Sequence, residues 1–176
     1  APDLLGGLDE ATALLEEILT ADGRILVVGD FDADGATGTA VAVRALGAMG
    51  ARVEPYIPHR VDEGYGLNLP ALRDLYRRGV RVVVTVDCGI RSFYEVDQAR
   101  RGLDLIITDH HTPASDRPLP PALAIINPKQ PDCSYPFDNL SGVGLAFKLV
   151  QGLLQAEASR RGPAVLAEET LLDLVA

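Results

Sequence analysis

Short apolar runs alternate with longer amphipathic stretches along nearly the whole chain. The apolar runs fall at 25–29, 52–57, 80–86, 103–108 and 122–126, and they are rich in valine and isoleucine. Most of them are almost continuously apolar, which is typical of parallel strands that are covered on both faces. The pattern therefore predicts five strands in a mostly parallel sheet.

Helical periodicity fills the intervals between these runs. The predicted helices span about 8–20, 36–49, 69–78, 92–101, 143–160 and 164–176, and Asn68 and Ser92 stand where helix N-caps belong. Repeated strand–helix–strand units build a right-handed sheet with helices on its faces. The predicted fold class is α/β, a mostly parallel sheet flanked by helices in a Rossmann-like three-layer arrangement. Residues 1–150 form its core, and 151–176 begin a helical connection.

Composition narrows the possible functions. The formal net charge is −9, from 25 acidic and 16 basic residues, which argues against a free-standing nucleic-acid binder. Such acidity favours solubility or a gathering of carboxylates around cations. No apolar run approaches the roughly 18 to 20 residues that cross a bilayer, so no membrane partner is expected. Two cysteines without CxxC spacing indicate a reducing, cytoplasmic setting.

Acidic and imidazole side chains follow three of the predicted strands. They are Asp30, Asp32 and Asp34 in "DFDADG", Asp87 in "VDCG", and Asp109, His110 and His111 in "TDHH". Ligands of open parallel sheets bind outside the carboxyl ends of the strands. Carboxylates crowded there repel one another and protonate in part unless a cation neutralises them. Carboxylate and imidazole ligands without a thiolate suit manganese or magnesium better than zinc.

Each motif taken alone has a simpler explanation. An Asp after a strand often forms a turn or caps a helix, and a His pair can lie in a surface loop. The joint occurrence at three strand ends favours a metal site. Alternate residues of an extended run share a face, so Asp30 and Asp32 can both reach ions that Asp87 bridges. Two ions roughly 3.5–4 Å apart would clamp a phosphoryl group and activate a water.

The ordered set "DFDADG", "VDCGI" and "DHH" resembles the DHH phosphoesterase superfamily. More narrowly, "YIPHRVDEGYGL" at 56–67, "INPKQPDCSYPF" at 126–137 and "LSGVGLAFKL" at 140–149 resemble the first catalytic subdomain of the RecJ exonuclease family. The resemblance covers about residues 20–176. It implies a 5′-to-3′ exonuclease on single-stranded DNA in repair and recombination. It also implies Mn²⁺ as cofactor, as two ions with Mg²⁺ possible, and repair partners such as a helicase or a single-strand-binding protein.

The resemblance also assigns metal ligands and catalytic groups. Asp30 would hold the first ion, Asp32 the second, and Asp87 would bridge both as a catalytic residue. His110 would complete the second site. Many superfamily members place a histidine ahead of the Asp pair where this chain reads "RILVVG", so the first site is expected to be weaker or built differently.

Further roles follow from the same resemblance. Asp109 would be a catalytic group that orients its neighbours from outside the ligand set. His111 would face the scissile phosphate or support the metal pair. Asp34 is the least certain of its triplet, and helix capping is its preferred role.

Substrate-binding roles stay open at this point. Arg60 in "PHR" could hold a phosphate through its bidentate fork or form a structural salt bridge. Ser141 and Gly142 open a helix whose amides could take an anion, or the glycines could serve close packing. Tyr65 could stack on a base or pack within the fold.

In the family, the last Asp ligand lies in a segment that follows a sequence similar to "LLDLVA", and this sequence ends with these residues. We interpret the chain as a truncated first catalytic subdomain, 1–176, of a longer multidomain protein, and we expect it to bind metal poorly and to be inactive alone.

Three alternatives are a phosphoesterase acting on small molecules or short oligonucleotides, a haloacid-dehalogenase phosphatase, and a non-catalytic replication scaffold. The phosphatase is disfavoured because that family needs a catalytic lysine, and this chain offers only Lys129 and Lys148. The scaffold is disfavoured because the ligand types of these motifs are intact.

Overall fold

A computed structural model describes residues 2–161 and 166–175. Its five strands are β1 (Arg24–Gly29), β2 (Arg52–Tyr56), β3 (Val80–Val86), β4 (Asp104–Thr108) and β5 (Ala124–Ile126). All pairings are parallel, and the order across the sheet is β2-β1-β3-β4-β5. Pro55 lies in β2, an edge strand, where a missing N–H can face away from the ladder. The predicted parallel α/β sheet is confirmed.

The helices of the described residues are α1 (Leu8–Thr20), α2 (Ala33–Ala48), α3 (Leu69–Arg77), α4 (Phe93–Ala99), α5 (Gly142–Arg161) and α6 (Leu172–Val175). Short 3₁₀ turns cover Pro2–Leu4 and Glu168–Leu171. One continuous helix over 164–176 was a wrong prediction. Its described part is a 3₁₀ turn followed by four helical residues, while 162–165 and 176 lie outside the described residues. Leu171 is fully buried beside α2 and α5, and Leu174 and Val175 pack partly against the same cluster.

Helices cover both faces of the sheet because successive strand residues point to opposite sides. On one face, Ile25, Val27, Val82 and Val84 pack against apolar residues of α1, α2 and α5. On the other face, Leu26, Val28 and Val83 pack against Leu72 and Leu75 of α3 and Val96 of α4. The predicted three-layer arrangement is confirmed.

Capping residues set where the helices begin. Helix α2 starts at Ala33, three residues earlier than predicted, because the Asp32 carboxylate accepts a hydrogen bond from Gly35 N at 3.0 Å. Asn68 caps α3 as predicted, by accepting from Ala71 N at 3.0 Å. Ser92 precedes α4 without a side-chain capping bond. The start of α2 therefore lies directly at the carboxyl end of β1.

Candidate metal centre

The strand register places one polar residue after each of four neighbouring strands at the same edge. Gly29 pairs with Val86, Val86 with Thr108, and Thr108 with Ile126. The residues that follow are Asp30, Asp87, Asp109 and Asn127, and all four are buried. The backbone hydrogen bonds of the sheet extend to the three aspartates. Asp30 N donates to Val86 O, Asp87 N to Thr108 O, and Asp109 N to Ile126 O. The expected convergence at one rim is present.

Two sets of metal-binding atoms meet at this rim, and they share one residue. Asp30, Asp32 and Asp87 each offer a carboxylate oxygen, and these atoms lie within 4.8 Å of one another. Asp87, His110 and His111 form a second set within the same limit. Asp87 therefore lies where a carboxylate could bridge two ions, and His111 joins the ligand candidates beside His110.

The Asp87 carboxylate is buried, and a bound cation would offset the cost of burying its charge. Its side chain is 2% exposed, and its Oδ1 has no hydrogen-bond donor among the described residues. His110 Nε2 lies 3.0 Å from that oxygen, an ion pair when the ring is protonated, and no hydrogen bond joins the two atoms. Burial, with Asp34 and Asp32 nearby, raises the pKa of Asp87 to about 7. A buried, orphaned carboxylate oxygen next to further acids fits a hard divalent ion.

Asp109 is placed to orient His111 rather than to bind an ion. Its Oδ1 accepts from His111 N at 3.0 Å and lies 2.8 Å from His111 Nδ1, while its Oδ2 accepts from Ile90 N at 2.9 Å. Both oxygens are thus engaged. The hydrogen bond to Asp109 raises the pKa of His111, against the opposing effect of burial. Because Nδ1 is committed, Nε2 is the ring nitrogen left for another partner.

Asp34 caps a helix other than the one that contains it. It lies in the first turn of α2, yet its two carboxylate oxygens accept hydrogen bonds from Gly142 N and Val143 N at the start of α5, each at 2.6 Å. The N-cap of α2 is Asp32. Asp34 therefore joins the motif after β1 to the distant helix α5.

This contact corrects the prediction of an anion site at Ser141 and Gly142. The anion held by these amides is the Asp34 carboxylate, and Ser141 Oγ accepts from Gly144 N at 3.2 Å. A Cβ on Gly142 would lie only 2.5 Å from the Asp87 Cβ. Close packing against Asp87, the alternative weighed for these glycines, is therefore the role that the structure supports.

Arg60 lies beside the centre. Its guanidinium carbon is 4.2 Å from the ring centroid of Phe31, which is 40% exposed between Asp30 and Asp32. Burial raises the pKa of Asp30, and a hydrogen bond from Phe31 N and the charge of Arg60 oppose that rise. Arg60 makes no salt bridge within 4.0 Å in the part of the chain that the structure describes. The structural salt bridge considered for it is absent there.

Two supporting contacts of this centre were not predicted from the sequence. Asn127 Nδ2 donates to His111 O at 2.9 Å, and its position directly after β5 was the available signal. The sequence suggests stacking or packing for Tyr65, and in the structure its hydroxyl donates to Asp87 O at 3.2 Å. Burial and nearby acids, Asp109 first among them, raise the pKa of Tyr65, so the hydroxyl keeps its proton and donates.

A family profile described as "DHH family, N-terminal domain" matches residues 24–176. This chain belongs to the DHH family. That match covers all of the strands and every residue of the candidate metal centre.

The chain is also similar to part of larger proteins. It is 45% identical over 154 residues to the single-stranded-DNA-specific exonuclease RecJ of Bacillus subtilis, covering 87% of this chain and 19% of that protein. It is 42% identical over 179 residues to the Escherichia coli protein of the same name, covering 98% and 31%. The chain thus spans less than a third of the length of these relatives.

Solved structures share this fold, and some of them contain Mn²⁺ or Mg²⁺. One, described as exonuclease RecJ bound to manganese, superposes with a TM-score of 0.82 at 41% identity, covering 97% of this chain and 42% of that one. RecJ of Thermus thermophilus in complex with Mn²⁺ gives 0.76 at 38% identity, covering 97% and 23%. A further structure of that protein contains Mg²⁺. Among the described residues, no helix combines the length and apolarity of a membrane span.

Proposed function

We propose that this chain is the metal-binding catalytic part of an exonuclease that hydrolyses single-stranded DNA from its 5′ end in repair and recombination. The cofactor would be two divalent ions, Mn²⁺ or Mg²⁺. The observation that carries the proposal is the buried Asp87 carboxylate, which two donor sets share and which lacks a hydrogen-bond donor at Oδ1 among the described residues. The named activity of the relatives and the metals in their structures support it.

Each candidate ligand is assigned to one or both of the proposed ions. Asp30 would hold the first ion, Asp32 and His110 the second, and Asp87 would bridge both. Bound divalent ions supply an activated water and neutralise charge on the phosphodiester.

The remaining groups would act on the substrate. Asp109 holds the His111 ring so that Nε2 is free for the phosphodiester. Arg60 would use its planar fork on a phosphate, since no carboxylate of the described residues occupies that fork.

The proposal extends to the whole protein and its setting. The chain would be the first catalytic subdomain of a longer protein, inactive alone, because the part that it shares with the relatives is only 19% to 31% of their length. Both cysteines are free thiols, which supports the proposal that the protein works in the cytoplasm. Interaction with a helicase or a single-strand-binding protein is predicted from the family resemblance alone.

The test uses a hybrid in which this chain replaces the matching segment of the Bacillus subtilis relative. With Mn²⁺, the hybrid should release nucleotides from the 5′ end of single-stranded DNA, and Asp87→Ala should reduce release to background. Asp104→Ala is the matched control, because Asp104 is exposed at the opposite end of β4. Turnover by the Asp87→Ala hybrid in Mn²⁺ would contradict the assigned role.

The same assay separates the alternative functions. Hydrolysis of dinucleotides in preference to long single strands would favour the small-substrate phosphoesterase. A hybrid that binds Mn²⁺ but cleaves neither class would favour the non-catalytic scaffold.

A further inference from the structure

Tyr65 contacts two residues of the candidate metal centre, Asp87 and His111, from a loop outside the sheet. Its hydroxyl donates to the backbone oxygen of Asp87 at 3.2 Å. Its ring meets the His111 ring edge-on, with 6.3 Å between the centroids and an interplanar angle of 84°. One side chain thus touches the backbone of the shared carboxylate residue and the imidazole of another ligand candidate.

Asp87 needs such support because of its backbone conformation. Its φ is +60°, in the left-handed region that non-glycine residues rarely adopt. Its N–H donates to Thr108 O at 3.0 Å, which holds one side of the residue to β4. The hydrogen bond from Tyr65 is the one that its carbonyl accepts within the described part of the chain. The two bonds together fix an orientation that the local backbone does not favour.

The loop is built to bring Tyr65 to this position. Gly64 and Gly66 on either side have φ of +83° and +79°, which suit glycine. Leu67 follows and is buried, and Asn68 then caps α3, so the loop is anchored directly after the tyrosine. The "GYG" sequence therefore serves a defined turn against the metal centre.

We propose that Tyr65 is a positioning residue that holds Asp87 and His111 in the geometry the metal pair requires. The inference rests on the proposed metal-dependent function. Removing the hydroxyl frees the Asp87 carbonyl and lets the strained residue relax, which moves its carboxylate away from the point shared by the two donor sets. Metal affinity should fall even though no ligand atom is lost, as it does when groups that orient metal ligands are removed.

The experiment is a Mn²⁺ titration of the 176-residue chain followed by electron paramagnetic resonance, carried into the millimolar range. Tyr65→Phe should weaken Mn²⁺ binding roughly tenfold and alter the spectrum of the bound ions, and Tyr65→Leu should weaken it further because the contact with His111 is also lost. The matched control is Tyr94→Phe, since Tyr94 is 62% exposed on α4 and its hydroxyl makes no hydrogen bond within the described residues.

Each outcome decides one question. If the wild-type chain and Tyr65→Phe bind Mn²⁺ with equal affinity and equal spectra, the positioning role is overturned while the proposed function stands. If neither the wild-type chain nor the hybrid with the Bacillus subtilis relative, titrated in the same way, binds Mn²⁺, both the proposed function and this inference are refuted. If only the hybrid binds Mn²⁺, the comparison of Tyr65→Phe with wild type is decided in the hybrid. If Tyr65→Phe weakens binding but the metal-free melting curve also shifts far more than that of Tyr94→Phe, the residue is structural and the inference is overturned.

Discussion

Replacing Asp87 with asparagine should stabilise the metal-free protein, although the side chain is buried. Burial and the nearby acids raise the pKa of Asp87 from 3.8 to about 7. At about 1.36 kcal/mol per pKa unit, ionising Asp87 in the folded protein costs about 4 kcal/mol more than in the unfolded chain. Asparagine removes this cost, and it also tolerates the left-handed backbone at this position.

The sign of the pH dependence follows from the direction of the shift. Between pH 3.8 and about 7 the folded state binds more protons at Asp87 than the unfolded state, so this group lowers stability as pH rises through that window. The gain from Asp87→Asn should therefore grow from about 2 kcal/mol at pH 5.5 to about 4 kcal/mol at pH 8. For a domain of this size, the gain at pH 8 corresponds to a rise of roughly 10 °C in the melting temperature.

Thermal denaturation of the metal-free chain, monitored by circular dichroism at both pH values, measures this effect. Millimolar Mn²⁺ should raise the melting temperature of the wild-type chain but not that of Asp87→Asn, because ligand binding stabilises only the state that binds. Asp104→Asn, at the exposed opposite end of β4, is the control for loss of a carboxylate. A melting temperature of metal-free Asp87→Asn below that of wild type at pH 8 would refute the reasoning.

Two further predictions concern the surroundings of this carboxylate. Gly142→Ala should lower the free energy of unfolding by roughly 1–3 kcal/mol in urea denaturation, because the new Cβ would lie 2.5 Å from the Asp87 Cβ. Gly144→Ala, whose Cβ would meet ordinary contacts at 3.4 Å, is its control, and equal effects of the two would argue against the close contact. Asp109→Asn should lower the pKa of His111, measured from its ring proton shifts by NMR, since the hydrogen bond to Asp109 is the main cause of the raised value. The stabilisation from that pair is fully present below pH 6.5 and is lost as pH rises through the raised pKa, so an unchanged His111 titration would contradict the pairing.

The order of apolar runs and polar motifs along the chain is enough to predict the parallel sheet and the edge at which the candidate metal ligands meet. Each polar motif follows directly after an apolar run, and the carboxyl ends of parallel strands meet at one edge whatever the loops between them do. Asp30, Asp87 and Asp109 could therefore be placed together from their positions alone. The same reasoning applied to Asn127 would have found it, but a single asparagine before a proline reads first as a loop residue.

The contacts that each of these side chains makes could not be predicted from the sequence, because they join segments that are far apart along the chain. Asp34 bonds to the amides of α5 across 108 and 109 residues of sequence, and Gly142 packs against Asp87 at a distance that no side chain would permit. Periodicity and capping rules describe neighbours a few residues apart, so they cannot tell which of the three carboxylates of "DFDADG" lies beside Asp87 and which accepts hydrogen bonds from a distant helix. The left-handed backbone of Asp87 and the reach of Tyr65 to it likewise arise from packing between separate segments, which is set by the assembled core.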